Sequence, residues 1–164
     1  MAMTQTLLAE FDHEMTTTRK LLERVPEDRF DWKPHAKSSS LGQLAQHVAT
    51  LPRLGAITLT QTEVDMATFQ PPPAPTSRAE LLSTFDSLVA GTRALMADAS
   101  DAELAAPWTF KRAGQVIFSM PKASVWRSFF MNHAIHHRGQ LSVYLRLSDV
   151  PVPSIYGPSA DEPI

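Results

Sequence analysis

The last long apolar repeat constrains this chain most. From Pro121 to about Leu147, Val125, Phe129, His133, His137, Leu141 and Tyr144 recur at threes and fours, the spacing that puts side chains on one face of an α-helix. Pro121 suits the first helical turn. Pro151, Pro153, Gly157, Pro158 and Pro163 leave residues 148–164 as a non-helical tail. Two members of the stripe are imidazoles one turn apart, the reach two rings need to share one metal ion. A helix that buries this face carries nitrogen ligands inward, where an unpaired polar group is costly.

Three more segments repeat with helical period. Thr4 to Arg24 carries Leu7, Leu8, Phe11, Met15, Thr18, Leu21 and Leu22, and ends at Pro26. A second helix, capped by Ser38, Ser39 or Ser40, carries Leu41, Leu44, Ala45, Val48, Leu51, Leu54 and Ile57, with a kink expected at Pro52. Ser77-Arg78-Ala79-Glu80 has capping-box spacing and opens a third helix to about Ala97, in which Gly91 would allow close packing. Between these lie a loop, Glu27 to Ser39, pinned by Phe30 and Trp32, and a stiff proline-rich connection, Thr62 to Thr76. Asp98 to Met120 reads as a long crossover with a little irregular structure. In it Ser100-Asp101-Ala102-Glu103 can cap a short turn, Pro107-Trp108-Thr109-Phe110 can be extended and Gln115-Val116-Ile117-Phe118 is too short to type, with Trp108 and Phe118 as candidates for a pocket mouth. Four substantial helices without a clear sheet give an all-α fold, a four-helix bundle. One domain, residues 1–164, accommodates all of it.

Composition narrows the function. The net charge is -2 and no Lys/Arg run is present, so nucleic acid is not an expected partner. Cysteine is absent, which excludes disulfides, a zinc ribbon and a cysteine nucleophile. No apolar run is long enough for a bilayer and the N-terminus does not read as a signal peptide, so no membrane partner and a cytoplasmic location are expected.

The metal-ligand candidates are therefore His47, His133 and His137. His47 falls beside the apolar stripe of the second helix, three residues after Leu44 and four before Leu51. Three imidazoles plus an open position make a catalytic pattern for zinc and related ions. Residues 134–136 are Ala, Ile and His, so the His-Glu-x-x-His metalloprotease arrangement is missing. Neither a Gly-x-Ser-x-Gly elbow nor a Gly-rich phosphate loop occurs. Asn132, His136 and Gln140 are candidate neighbours of the ligands, with Gln140 placed to orient His137. Arg138 adjoins His137 but lies about 100° round the helix. A general base is not evident; Glu10, His13 and Glu14 on the first helix are the candidates.

Asn132-His133-Ala134-Ile135-His136-His137-Arg138-Gly139-Gln140-Leu141, followed by Tyr144-Leu145-Arg146, closely resembles the closing helix of the DinB family. Trp32-Lys33-Pro34 and the segment Ser40-Leu41-Gly42-Gln43-Leu44-Ala45-Gln46-His47 are similar to that family as well. The resemblance implies an up-down-down-up bundle with a long crossover, a divalent metal, often zinc or nickel, on His47, His133 and His137, and a homodimer. The wider superfamily contains thiol-dependent enzymes, including transferases using bacillithiol and an isomerase using mycothiol. It thus implies a metal-dependent enzyme that transfers a low-molecular-weight thiol to a small electrophile. Arg53, Lys111 and Arg112 are the candidates for a polar rim around the thiol and substrate. Metal-assisted hydrolysis of a small substrate and non-catalytic metal binding are the alternatives.

Overall fold

In the computed structural model the described residues are 3–70 and 73–163. The first helix, α1 (Met3–Leu22), buries Phe11, Met15, Leu21 and Leu22 as its period requires. The loop that follows is pinned by its aromatics: Leu41 and Gly42 donate backbone N–H bonds to Trp32 and Phe30 carbonyls, and Trp32 meets Tyr144 edge-on. Helix α2 (Leu41–Thr50) starts at Ser40, whose hydroxyl accepts from Gln43 N–H while the Gln43 side chain accepts from Ser40 N–H. Only Leu51 separates it from α3 (Pro52–Thr60), because Pro52 has no N–H to continue the ladder and serves as the first residue of a new helix. Thr92 donates to the Pro52 carbonyl at 2.8 Å and ties α4 to the start of α3.

Helix α4 (Arg78–Asp98) is capped by Ser77, which accepts from Glu80 N–H. The Glu80 carboxylate turns to Thr76 instead, so the cap is one-sided. Helix α4 packs on α1, α2 and α3. The close-packing glycine is Gly55 rather than Gly91. A Cβ on Gly55 would come within 2.8 Å of Phe130 and 2.9 Å of Thr92, whereas nothing lies within 4 Å of one on Gly91. The proline-rich connection falls partly on residues 71 and 72, outside the described residues.

The all-α expectation is corrected between residues 62 and 121. A three-stranded sheet forms there, in the order β1 (Glu63–Asp65), β2 (Pro107–Arg112), β3 (Gln115–Pro121). β1 runs parallel to β2, with Val64 opposite Phe110, and β2 pairs antiparallel with β3. The β2–β3 turn places Ala113 and Gly114 at φ 49° and 77°, the left-handed pair that suits a tight hairpin. Asp65 holds it: the Ala113 and Gly114 N–H groups donate to its carboxylate at 2.9 and 2.7 Å. Helix α5 (Asp101–Ala105), capped reciprocally by Ser100 and Glu103, precedes β2. The supposed crossover is thus an ordered helix and hairpin.

The last helical length runs from α6 (Lys122–Ser124) through a π-helical segment (Val125–Met131) into α7 (Asn132–Leu147). The wider π turn changes which residues face inward. The buried set is Val125, Trp126, Phe130, Met131, Ala134, Arg138, Leu141 and Leu145, with five-residue steps from Val125 to Phe130 and from Trp126 to Met131. Phe129, His133, His137 and Tyr144 lie half-buried beside that set. The histidine stripe therefore borders the core rather than forming its centre. The arrangement is mostly helical, but the split second helix, the short α5 and the sheet keep it from being a plain four-helix bundle. The tail has no helix or strand over residues 150–163. It is strapped to the body by ion pairs from Glu162 to Arg24 on the α1 side and from Asp161 to Arg146 on α7. Among the described residues no helix is long and apolar enough to cross a membrane.

Candidate metal centre

Helices α2 and α7 pack against each other, which brings His47 from one against His133 and His137 from the other. The three ring centres are 4.5–5.0 Å apart, and one nitrogen from each lies within 4.8 Å of the other two. His47 Nε2 and His133 Nε2 are 3.2 Å apart. A tetrahedral ion with metal–nitrogen bonds of roughly 2.0–2.1 Å needs ligand nitrogens about 3.3–3.4 Å apart. That pair therefore already has the separation of two ligands on one centre.

The electrostatics agree with the geometry. Burial first, then repulsion from His137 and His133, pushes His47 down to about 4. His133 is likewise pushed down to about 4, by burial and then by His137 and His136. Burial lowers His137 as well, against an opposing hydrogen bond from Gln140. All three imidazoles are thus neutral at pH 7, the form that binds metal. The Gln140 amide oxygen is 2.7 Å from His137 Nδ1. An amide oxygen only accepts, so His137 carries its proton on Nδ1 and keeps Nε2 free for a ligand bond.

The remaining candidates separate clearly. Asn132 is exposed and accepts a hydrogen bond from Arg127. His136 is exposed, its ring 4.9 Å from that of His137; it contributes repulsion and no ligand position. None of the three candidate bases reaches the histidines. Glu10 is ion-paired with Arg127 at 3.0 Å, and His13 sits on an exposed part of α1. Glu14 is buried and bound to Arg138 at 2.5 Å. Glu14 stands three residues after Phe11 and four before Thr18, on the apolar period of α1, whereas Arg138 lies about 100° round from His137; each charge offsets the other's need for water.

A cavity of about 320 Å³ opens beside the histidines, with His47 and His133 in its wall. Arg53 lines it, whereas Lys111 and Arg112 do not. Lys111 is paired with Glu63 at 2.7 Å across β1 and β2, and Arg112 is exposed at the hairpin end. The expected pocket aromatics are also displaced. Trp108 is fully buried and, with Phe118, stands behind the wall; Phe110 and Phe129 form the wall itself. Val64, Met66 and Phe69 complete it. They come from the segment read as a mere connection, and the alternation of Val64, Met66 and charged neighbours was too short to mark a strand.

Comparison with known proteins places the fold. The DinB family model matches residues 1–163. The uncharacterized protein YrdA of Bacillus subtilis (strain 168) is 32% identical over 160 residues, covering 94% of this chain and 89% of YrdA. A DinB-like protein from Bacillus cereus ATCC 10987 superposes with a TM-score of 0.72 at 21% identity, over 93% of this chain and 97% of that one. The DinB-like protein YjoA from Bacillus subtilis gives 0.72 at 21% identity, over 92% and 96%.

Proposed function

The chain belongs to the DinB family, and from that premise we propose that it is a metal-dependent enzyme transferring a low-molecular-weight thiol to a small electrophile. The observation that carries the reading is three neutral imidazoles converging within 4.8 Å at the edge of a cavity of about 320 Å³. His47, His133 and His137 would hold the ion, zinc or nickel by donor type. A divalent ion there lowers the pKa of a thiol or water beside it.

The protein's own part is to orient and to exclude water. Gln140 fixes the His137 tautomer, and α2 and α7 hold the other two rings. Leu51, Leu54, Phe110 and Phe129 exclude water from the cavity on the His47–His133 side, which strengthens electrostatic interactions at its histidine end. No carboxylate is among the cavity's lining residues. Both nucleophiles must give up a proton, but a thiol, with an ordinary pKa of about 8.5 against about 15.7 for water, would lose it to solvent with a much smaller push from the ion, so a lining without a base favours thiol transfer. The up-down-down-up order and a homodimer, with the exposed Val143 and Leu147 of α7 in the contact, belong to the same proposal.

The test is metal content by plasma mass spectrometry on protein purified without a metal-affinity column, beside a His47→Ala, His133→Ala double variant. About one divalent ion per chain, absent from the variant, is expected. Thiol consumption with small electrophiles should then depend on that ion. No bound ion, even after reconstitution with zinc or nickel, would sink the metal reading. Ester turnover without thiol would replace transfer with hydrolysis.

A further inference from the structure

The cavity's wall has a chemistry of its own. Phe110 and Phe129 stand with ring centres 5.0 Å apart, and Phe118 stacks on Phe110 from behind at 5.3 Å. Ile57, Val64 and Met66 extend the apolar lining. The volume, about 320 Å³, equals that of roughly ten liquid water molecules, near the lower limit for a small-molecule site. One charged residue lines it, Arg53. Its guanidinium carbon lies 5.6 Å from the Phe69 ring centre, and no carboxylate pairs with it among the described residues. Arg19, Arg24, Arg93, Arg127, Arg138 and Arg146 have carboxylate partners; Arg29, Arg78 and Arg112 have no ion pair among the described residues either, but of these unpaired cations only Arg53, itself exposed, lines the cavity. A cation left unpaired at an apolar cavity is complementary to an anion brought in by a ligand.

We propose that this cavity takes a flat, aromatic-sized apolar molecule bearing one anionic group. The ring lies against Phe110 and Phe129, and the anion pairs with Arg53. The proposal rests on the reading of the histidine edge as the reacting end, since that is what makes the occupant a substrate. Recognition itself, however, uses Arg53 and the aromatic wall and needs no ion. It also sets a limit on the transferred thiol. Large polar thiols find few hydrogen-bond partners in this lining, so the cavity is the electrophile's place.

The probe is 2-naphthoate, with 2-naphthalenemethanol as its uncharged analogue, titrated by fluorescence into the protein as purified and again in excess chelator. Saturable naphthoate binding is expected in both conditions. Arg53→Gln should weaken naphthoate about tenfold, the scale of one charge-assisted hydrogen bond, and leave the alcohol within twofold, which also reports that the variant is folded. Ile57→Glu, placing a charge in the wall, should abolish both. Naphthoate binding that ignores Arg53→Gln would overturn the anion assignment. Absence of saturable binding by either probe would overturn the cavity as an aromatic site. Naphthoate binding lost only on chelation would mean that the ion, and not Arg53, holds the carboxylate, which also overturns the proposal. If no ion is found in the protein but Arg53-dependent binding persists, the metal reading fails and the cavity assignment stands.

Discussion

Two polar clusters adjoin on α7, one on His137 and the other on Arg138, and they are built to opposite ends. In the first, His47, His133 and His137 are half-buried, crowd their nitrogens together and repel protons from one another. In the second, Arg138 is 1% exposed and Glu14 5% exposed. The Glu14 carboxylate is ion-paired with Arg138 Nη1 at 2.5 Å and accepts from the Tyr156 hydroxyl at 2.7–2.8 Å, while the Glu14 backbone carbonyl accepts from Arg138 Nη1 at 3.2 Å. Arg138 Nη2 has no hydrogen-bond partner among the described residues, and the Tyr156 ring centre lies 4.9 Å from the guanidinium carbon. The closed cluster spends its charges on itself and holds α1, α7 and the tail together. The open one leaves donor capacity facing a cavity. A polar cluster whose opposite charges cancel within it is an element of the fold; one that crowds like ligand atoms together at the edge of a cavity is a site for something else.

The largest effect should come from opening the closed cluster. Arg138→Ala leaves the Glu14 carboxylate buried and unpaired, at a cost of about 3–5 kcal/mol, read from urea unfolding. The Glu14→Leu, Arg138→Met pair should recover most of that loss, because desolvation of both charges is removed together. A single substitution that costs less than about 1 kcal/mol would show that water reaches the pair and that the two clusters differ less than their burial implies.

Next comes the converse operation, closing the open cluster. Zinc at a hundredfold excess over its dissociation constant should raise stability by about 2.7 kcal/mol. His47→Ala should abolish most of that gain yet change the metal-free protein by less than about 1 kcal/mol, since its ring is only half-buried. The same urea curves with and without zinc decide it. Equal stabilisation of variant and wild type would place the ion elsewhere.

Proton dependence sharpens the same contrast. In the metal-free protein His47 and His133 have pKa values near 4, against 6.5 for an ordinary histidine. Between those values the unfolded chain binds protons that the folded chain refuses, so stability falls as pH drops from about 7 toward 4. Partial exposure and solvent screening make this shallower than the metal effect. Denaturation in chelator at pH 7, 6 and 5 measures it above the range where carboxylates titrate. The His47→Ala, His133→Ala variant should flatten the slope. A slope unchanged in that variant would assign the protons to other groups.

The two clusters were also unequally legible in the sequence. Histidines at i and i+4 beside an apolar stripe carry a pattern, and the four helical lengths that bring His47 to them follow from period and caps. Glu14 falls on the period of α1, but its partner lies 124 residues away, so the pair reads in sequence as two unrelated charges. The hairpin was hidden for a related reason. Its turn is Ala113-Gly114, not Asn-Gly or Asp-Gly, and the missing carboxylate is lent by Asp65 from 48 residues away. The π segment was hidden because a five-residue step alters register without altering composition. It moved Phe130 into the core and left Phe129 for the cavity. Long-range partners and register, unlike period, leave no local trace.

The smallest effect concerns Tyr156, a residue 63% exposed although its hydroxyl reaches buried Glu14. Tyr156→Phe removes that hydroxyl and keeps the ring over Arg138. A hydrogen bond to a charged group is worth about 1.5–3 kcal/mol when buried, and exposure of the ring lets water replace part of it, so about 1 kcal/mol is expected in urea unfolding. The informative companion is the zinc affinity of the same variant, by competition with a chelating dye. Tyr156 touches Glu14 and Arg138 but none of the three ligand candidates, so an affinity within twofold of wild type is expected. An affinity that falls with the hydroxyl would mean that the tail sets the position of α7, and hence of His137, through Arg138. The closed cluster would then be part of the open one's machinery, and the division drawn between them would fail.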